Sequence, residues 1–294
     1  MDTRDWIGSF PIGLLLCVLG VLCGGSAPRA QSPDTGTQVV AGVETRRDRF
    51  QYHFDNPSSF DTPAPVPHFF EQRYVADNVW AVVTLRYTAR LRWETSVGAT
   101  PQRTATADDY DTFFDPDGTV WVSGTTGGAS MRSFRVSQTA EVARAGAVRF
   151  VAGYRLRVDL ADFHVGHKTE TRNGALVLAT DVTSPEATTS QLWEAIVGAG
   201  TSASLAANWR LSLEGEVLPL TIGRLAVRLP EKYAGDVVFS ARVVGASARV
   251  TFARQHVRWP VELAIDGGRT WSYKADAALT YTQFGVRLAA GRAW

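Results

Sequence analysis

The chain has 294 residues, of which 45% are hydrophobic and 20% charged, a composition that excludes an intrinsically disordered protein. Its 30 basic and 29 acidic side chains give a formal net charge of +1 at pH 7, which provides no basic field for nucleic acid. We therefore predict no nucleic-acid partner. The sequence shows no phosphate-binding loop, dinucleotide fingerprint or serine nucleophile elbow, so no cofactor is predicted either.

The first thirty residues have the features of a secretory signal peptide. A basic residue precedes an apolar run at 12–22, and small residues follow before the chain becomes polar. The run is too short for the roughly 20 residues that a transmembrane helix needs. We predict a signal peptide at 1–30, cleaved after Ala30 or Ala27, and a periplasmic N-terminal lead at 31–42.

Both cysteines, Cys17 and Cys23, lie within the predicted signal peptide. The mature chain is therefore expected to contain no disulfide, no thiol nucleophile and no thiolate metal site. Cys23 could instead be the acylated residue of a lipoprotein. The large Leu22 before it does not suit that recognition.

The C-terminal segment alternates between apolar and polar or small side chains, as a strand with one face on lipid does. Phe284, Val286 and Leu288 lie on one face, and the segment ends on the aromatic Trp294. Arg292 interrupts the apolar face and is expected to extend to the membrane boundary. This strand resembles the terminal assembly signal of bacterial outer-membrane β-barrels. The resemblance implies a bacterial outer-membrane location, outer-membrane lipid as surroundings and recognition by the barrel-assembly machinery.

The same alternation recurs along the chain. In residues 147–160, for example, Val148 and Phe150 alternate with Arg149 and Arg155. The pattern predicts an all-β fold, a single antiparallel transmembrane β-barrel of about ten strands with a polar, charge-paired lumen. Strands are predicted at 43–54, 69–87, 90–100, 131–144, 147–160, 189–204, 208–221, 236–254, 258–271 and 276–294, so the barrel occupies 43–294.

An even strand number places both termini in the periplasm, with tight turns on that side and long loops outside the cell. Extracellular loops are predicted at 55–68, 101–130, 161–188 and 222–235, with a short one near Ser272. The weakest strand is 236–254, where the apolar face switches near Gly245. A β-bulge at that point is one explanation.

Oppositely charged side chains gather on the inward faces of the predicted strands. Arginine and carboxylate in a narrow interior are expected to pair, because an unpaired charge there is costly. A barrel of this size has little room beyond its own side chains, which favours a plugged interior over an open channel. The predicted lumen network comprises Arg90, Arg92, Glu94, Arg135, Glu141, Arg149, Arg155, Arg157, Asp159, Glu194, Arg210, Glu214, Glu216, Arg242, Arg258, Glu262, Asp266 and Arg287.

Acidic and histidine residues in two predicted loops are candidates for general-base catalysis. Asp109 and Asp111 form an Asp-x-Asp element in the second loop, and Asp162 and His164 form an Asp-x-His element in the third. A ten-stranded barrel with these elements resembles the omptin proteases, and the resemblance implies that the two pairs activate water for peptide hydrolysis. In omptins the Asp-x-His pair lies in the fourth loop, which has no histidine here. The second and third loops are separated along the rim by one hairpin and do not face each other across the mouth, so we predict that the pairs do not converge, and we assign no catalytic residue.

A metal site using Asp159, Asp162, His164 and His167 is the other candidate. In an extended strand these spacings alternate between faces, so the ligands would converge only if the loop folded back. No metal is predicted. Turn formation alone also explains the Asp, Gly and Pro residues of these loops.

The sequence predicts a non-enzymatic, porin-like outer-membrane barrel that displays surface loops, supports the envelope or passes very small solutes. The alternatives are an omptin-like protease at the barrel rim and a narrow channel. The protease requires converging Asp and His side chains, and the channel requires a continuous open lumen.

Overall fold

The computed structural model describes residues 36–55, 68–228, 235–254, 257–275 and 277–294. The predicted signal peptide at 1–30 lies outside the described residues. Within these ranges the chain forms ten antiparallel strands in one closed barrel, in which the first strand pairs with the last. The predicted fold class is confirmed. The strands are β1 (Gln38–Asp55), β2 (His68–Thr88), β3 (Arg92–Phe114), β4 (Val120–Ala145), β5 (Val148–Arg172), β6 (Ala175–Ala206), β7 (Trp209–Arg228), β8 (Asp236–Arg254), β9 (Val261–Ala275) and β10 (Ala277–Ala293).

The outer face of the barrel is apolar around the half that contains the described chain ends, which the even strand number predicts to be the periplasmic half. Large side chains point outward from alternate positions, as the alternation predicts. Strand β9 shows the pattern clearly, with Leu263 and Ile265 outside and Glu262 buried inside. Such a band is unfavourable in water and fits a lipid environment. Its members include Val43, Phe150, Trp193, Val197, Leu213, Val217, Val250, Phe252, Val261, Leu263, Ile265, Phe284 and Leu288.

Aromatic side chains line the periplasmic edge of this band. Trp209 stacks on Phe252 with ring centroids 4.6 Å apart. The guanidinium of Arg292 lies 5.8 Å from the ring centroid of Trp259 and 5.4 Å from that of Trp294. This position, between two indole rings near the barrel end, explains how an arginine is accommodated on the apolar face. The described residues contain no helix long and apolar enough to cross a membrane.

Several strands are longer than predicted. Strand β1 begins at Gln38, so the last part of the predicted lead at 31–42 belongs to the barrel. The predicted loops at 101–130 and 161–188 are wrong, because these residues form paired strands of the β3–β4 and β5–β6 hairpins. Strand β6 alone has 32 residues, whereas about 9–11 cross a membrane. The hairpins therefore extend well beyond the membrane on the extracellular side.

Tight turns close both long hairpins. Asn173 and Gly174 have positive φ angles of 49° and 81° and form the turn between β5 and β6, which is the favoured chemistry of a two-residue hairpin loop. Between β3 and β4, Gly118 has a φ of 84°. The backbone N–H of Thr119 donates to Asp117 Oδ1 over 2.8 Å and lowers the pKa of that carboxyl.

The apolar face of β8 does switch near Gly245, but the strand keeps its alternation there. The side chains of Ala241 and Val243 are buried inside the barrel, and Arg249 points inward further along the same face. A register irregularity does lie next to Gly245, against β7, where Leu218 pairs with Gly245 and Thr221 with Val243; a second one lies against β9 at Arg242–Val243. The switch therefore corresponds to a change in the side chains that line the lumen, which are apolar in the extracellular half and charged in the periplasmic half.

Candidate functional site: the lumen and its extracellular rim

Charged side chains fill the periplasmic half of the lumen, here called the charge layer. Most of them are buried, and many belong to strands that are not neighbours. The layer contains Glu44, Arg46 and Asp48 of β1, Arg86 of β2, Glu94 of β3, Arg135 of β4, Arg149, Arg155, Arg157 and Asp159 of β5, Glu194 of β6, Glu214 and Glu216 of β7, Arg249 of β8, Glu262 and Asp266 of β9, and Arg287 of β10.

Ion pairs of the charge layer cross the lumen. Arg135 Nη2 of β4 lies 3.3 Å from Glu44 Oε2 of β1, and Arg86 of β2 hydrogen-bonds to Glu262 of β9. Arg155 of β5 pairs with Glu216 of β7 over 2.7 Å. Because these strands do not neighbour one another, each pair joins separate parts of the wall. The arrangement occupies the space that a channel would need.

Trp80 forms the centre of the charge layer and has 0% of its surface exposed. The guanidinium groups of Arg46, Arg135 and Arg157 lie 5.5, 5.3 and 5.6 Å from its ring centroid. At these distances the ring face attracts each cation. The indole therefore stabilises three like charges held close together.

The predicted lumen network needs three corrections. Arg90 is exposed in the turn between β2 and β3, and Arg258 is exposed in the turn before β9. Both residues lie just beyond a strand end, where alternation no longer applies. Arg242 is exposed on the outward face of β8, because the lumen at its level is apolar and the inward positions there carry apolar side chains.

Other members of the charge layer were not predicted. Glu44, Arg46 and Asp48 alternate along one face of β1, and Arg46 hydrogen-bonds to both carboxylates over 3.0 and 2.7 Å. Opposite charges spaced two residues apart on one strand face are a signal that could have found them. Arg86 and Arg249 follow the same inward alternation on β2 and β8.

An apolar layer lies above the charge layer, on the extracellular side. It includes Phe50, Tyr74, Leu192, Leu225 and Leu279, all buried within the lumen. Side chains from β1, β2, β6, β7 and β10 meet in this layer. Together the two layers fill successive levels of the barrel interior.

A buried hydrogen-bond network crosses the same level. Gln72 Nε2 of β2 donates to Glu186 Oε2 of β6 over 2.9 Å. The hydroxyls of Tyr52 and Tyr74 lie 3.0 and 3.2 Å from Thr188 Oγ1. Since β2 and β6 lie on different sides of the barrel, this network connects two parts of the wall across the lumen. These hydrogen bonds compensate the buried polar groups for the loss of contact with solvent.

Two cavities of about 10 Å³ lie inside the charge layer. Arg135, Arg155 and Gln283 border both of them. A volume of this size is close to the minimum that holds one water molecule. These voids do not provide a path for a larger solute.

The structure places the Asp-x-Asp pair and the Asp-x-His pair on opposite faces of the barrel wall. Asp109 and Asp111 are buried on the inward face of β3, where Asp109 is in register with Gln72. Asp162 is half-buried and His164 is exposed. Both alternate with buried, inward residues of β5, so they lie on the opposite face of the wall.

The remaining histidine of this region makes a surface contact. His167 Nδ1 of β5 lies 3.0 Å from Asp181 Oδ1 of β6, and both side chains are exposed. Within the described ranges, no group of three or more His, Cys, Asp or Glu side chains is placed to hold a metal ion. His164 and His167 are therefore not part of such a group among the described residues.

We expect the folded protein to show no peptidase activity that depends on His164. Its imidazole and the buried Asp109 and Asp111 lie on opposite faces of the wall, so they cannot hold one water between them. The measurement is cleavage of a panel of basic peptides by the wild-type protein and by His164→Ala. Cleavage by the wild type that disappears in His164→Ala, and in Asp109→Asn, would contradict this expectation.

Comparison with known proteins shows the fold. No family model and no curated protein matches the chain. The chain is similar in structure to the outer-membrane protease OmpT from Escherichia coli, with a TM-score of 0.60 and 8% sequence identity over 92% of this chain and 100% of that chain. At this identity the likeness shows a shared β-barrel fold, and the resemblance to omptins is weak.

More distant barrels give lower scores. The β domain of the Bordetella autotransporter BrkA has a TM-score of 0.35 and 13% identity over 86% of this chain and 99% of that chain. The translocator domain of the autotransporter NalP from Neisseria meningitidis has a TM-score of 0.31 and 11% identity, covering 99% and 97% of the two chains. The closed barrel and its apolar outer band are consistent with a bacterial outer-membrane location.

Proposed function

We propose that the chain is a sealed outer-membrane barrel that presents its long extracellular hairpins as a binding surface. The observation that carries this proposal is the apolar end of the β5–β6 hairpin. Leu176, Val177 and Leu178 are 63, 52 and 40% exposed. Because consecutive residues of a strand point to opposite faces, neither face of this segment is packed. Exposed apolar clusters beyond a membrane favour contact with another surface.

The neighbouring hairpin extends and supports this surface. Asn173 donates its backbone N–H to the Val120 carbonyl over 2.8 Å, and its side-chain Oδ1 accepts the Val120 N–H over 2.8 Å. The guanidinium of Arg172 lies 5.1 Å from the ring centroid of Trp121. Phe114, 44% exposed, adds to the apolar area of the β3–β4 hairpin. We name Phe114, Leu176, Val177 and Leu178 the apolar tip.

The filled lumen argues against a transport function. Cross-lumen ion pairs and the apolar layer occupy successive levels, and a ten-stranded barrel has little interior space to spare. A rim protease would need its acidic and histidine pairs on one face. Asp109 and His164 lie on opposite faces.

Two further expectations complete the proposal. Outer-membrane lipid contacts the apolar outer band, and the barrel-assembly machinery recognises the last strand through Phe284, Val286, Leu288 and Trp294. The side chains of Phe284 and Leu288 are 56 and 61% exposed on the outer face. They are thus available to lipid and to an assembly factor.

Replacing Leu176, Val177 and Leu178 together by serine should strongly reduce adhesion of cells to an apolar phase. Each fully buried side chain of this kind contributes about 1.5–3 kcal/mol to such a contact. The measurement is partition of cells that carry the protein in their outer membrane between buffer and hexadecane. The triple variant should partition much closer to cells without the protein than to the wild type, since of the apolar tip only Phe114 remains.

The matched control replaces Ala175 and Ala179 of the same hairpin by serine, which alters polarity but removes little apolar surface. Both variants should migrate differently when unheated and when boiled, as a folded barrel does. Equal partition of the wild type and the triple variant would show that the apolar tip is not the binding surface.

A further inference from the structure

A cavity of about 330 Å³ opens at the periplasmic mouth of the lumen. We name it the periplasmic cup. Four arginines line it, namely Arg92, Arg144, Arg149 and Arg210, together with the carboxylate of Glu141. These residues lie at the periplasmic ends of β3, β4, β5 and β7. The volume lies at the lower end of the roughly 300–1,000 Å³ typical of small-molecule sites.

The lining of the cup contains more basic than acidic side chains. Four guanidinium groups and one carboxylate belong to the residues that line the cup. Arg144 holds Glu141 through two hydrogen bonds of 2.8 and 3.0 Å. Arg149 reaches Glu214 of the charge layer over 3.3 Å. Arg92 lies in the field of the like charges of Arg149 and Arg86 and of the carboxylates of Glu141 and Glu94, and a bound anion would add a further favourable interaction.

The cup contrasts with the lumen above it. In the charge layer, arginines pair with carboxylates, as Arg155 does with Glu194 of the neighbouring β6 and with Glu216 of β7 over 3.1 and 2.7 Å. At the mouth, Arg144 and Arg149 are also paired, but arginines outnumber carboxylates among the lining residues. This basic lining lies where the lumen meets solvent, which is where a ligand could enter.

Other lining groups suit an oxyanion. The cup also contains the hydroxyls of Thr88, Thr201, Ser202 and Ser212, which can donate hydrogen bonds to phosphate or carboxylate oxygens. A Cβ atom at Gly200 would lie 3.1 Å from Arg149 Nε. The absence of a side chain there leaves room for the guanidinium. Planar guanidinium groups bind such oxyanions in a bidentate manner.

We propose that the periplasmic cup binds a small molecule that carries at least two phosphate or carboxylate groups. The ligand enters from the periplasm and stops at the charge layer, so the cup is a binding site and not the entrance of a channel. The site is separate from the apolar tip, which lies at the opposite end of the barrel. Its existence does not depend on the extracellular function.

The test is calorimetric titration of the folded mature protein in a neutral detergent at constant ionic strength. One arm uses pyrophosphate and the other citrate, so that phosphate and carboxylate recognition are distinguished. We expect saturable binding in at least one arm. Replacing Arg92 and Arg210 by glutamine should weaken it about tenfold or more per arginine.

The matched control is Arg90→Gln with Arg254→Gln. Both arginines are exposed at the periplasmic end of the barrel, outside the lining of the cup, so this variant removes the same charge and should bind as the wild type does. A second variant, Ser212→Glu, places a carboxylate in the cup and should also abolish binding. Heat-modifiable migration verifies that each variant is folded. No saturable binding in either arm, or an equal loss in the control, would overturn the proposal.

Discussion

Replacing Arg157 by glutamine should lower the free energy of unfolding of the barrel by about 3–5 kcal/mol, the usual cost of breaking a buried ion pair from one side. Arg157 Nε lies 2.8 Å from Asp159 Oδ2, and its Nη2 lies 3.6 Å from Asp48 Oδ2. Its guanidinium also stacks 3.7 Å from the ring centroid of Tyr281. Glutamine keeps much of the volume but leaves two buried carboxylates without this cation.

The measurement is equilibrium unfolding by urea in detergent micelles. The control is Arg228→Gln, since Arg228 pairs with Asp236 over 2.8 Å while both side chains are about half exposed. A surface pair of this kind contributes about 0–1 kcal/mol. Equal losses in the two variants would mean that the charge layer does not stabilise the barrel.

The strand plan could be predicted because membrane strands have two different faces. On β9, Leu263 and Ile265 meet lipid while Glu262 and Asp266 meet the lumen. This contrast makes alternation visible in the sequence. The closed ten-stranded barrel follows from it.

The extracellular parts of the strands could not be found in the same way. Above the membrane, both faces of the β5–β6 hairpin meet water, and residues such as Thr169 and Thr180 resemble loop residues in composition. Backbone pairing, which has no side-chain signature, keeps this segment extended. The Asn173–Gly174 turn was the one available signal, because this dipeptide favours a two-residue hairpin loop.

For the candidate sites, the inward positions of side chains could be predicted from the sequence, but their partners could not. The inward positions of Arg155, Arg157 and Asp159 follow from alternation, and the structure places them in the lumen. Their partners on distant strands, such as Asp48 for Arg157, depend on barrel closure and on strand stagger. The periplasmic cup likewise combines residues from several strand ends. Only the three-dimensional arrangement shows that its arginines outnumber its carboxylates.

The wild-type protein should not conduct ions across a planar lipid bilayer. The charge layer closes the periplasmic half of the lumen, with Trp80 buried at its centre. The apolar layer closes the level above it, where Phe50 and Leu192 are buried. A variant with both Phe50 and Leu192 replaced by alanine should also remain closed, because the charge layer below is unchanged.

Conductance of the wild-type barrel tests the sealed lumen most directly. The protein is refolded in detergent, verified by heat-modifiable migration and inserted into the bilayer under a range of applied voltages. We predict a current that stays at the level of the bare bilayer. Stable, stepwise openings of the folded wild-type protein would contradict a sealed barrel and would favour the narrow channel instead.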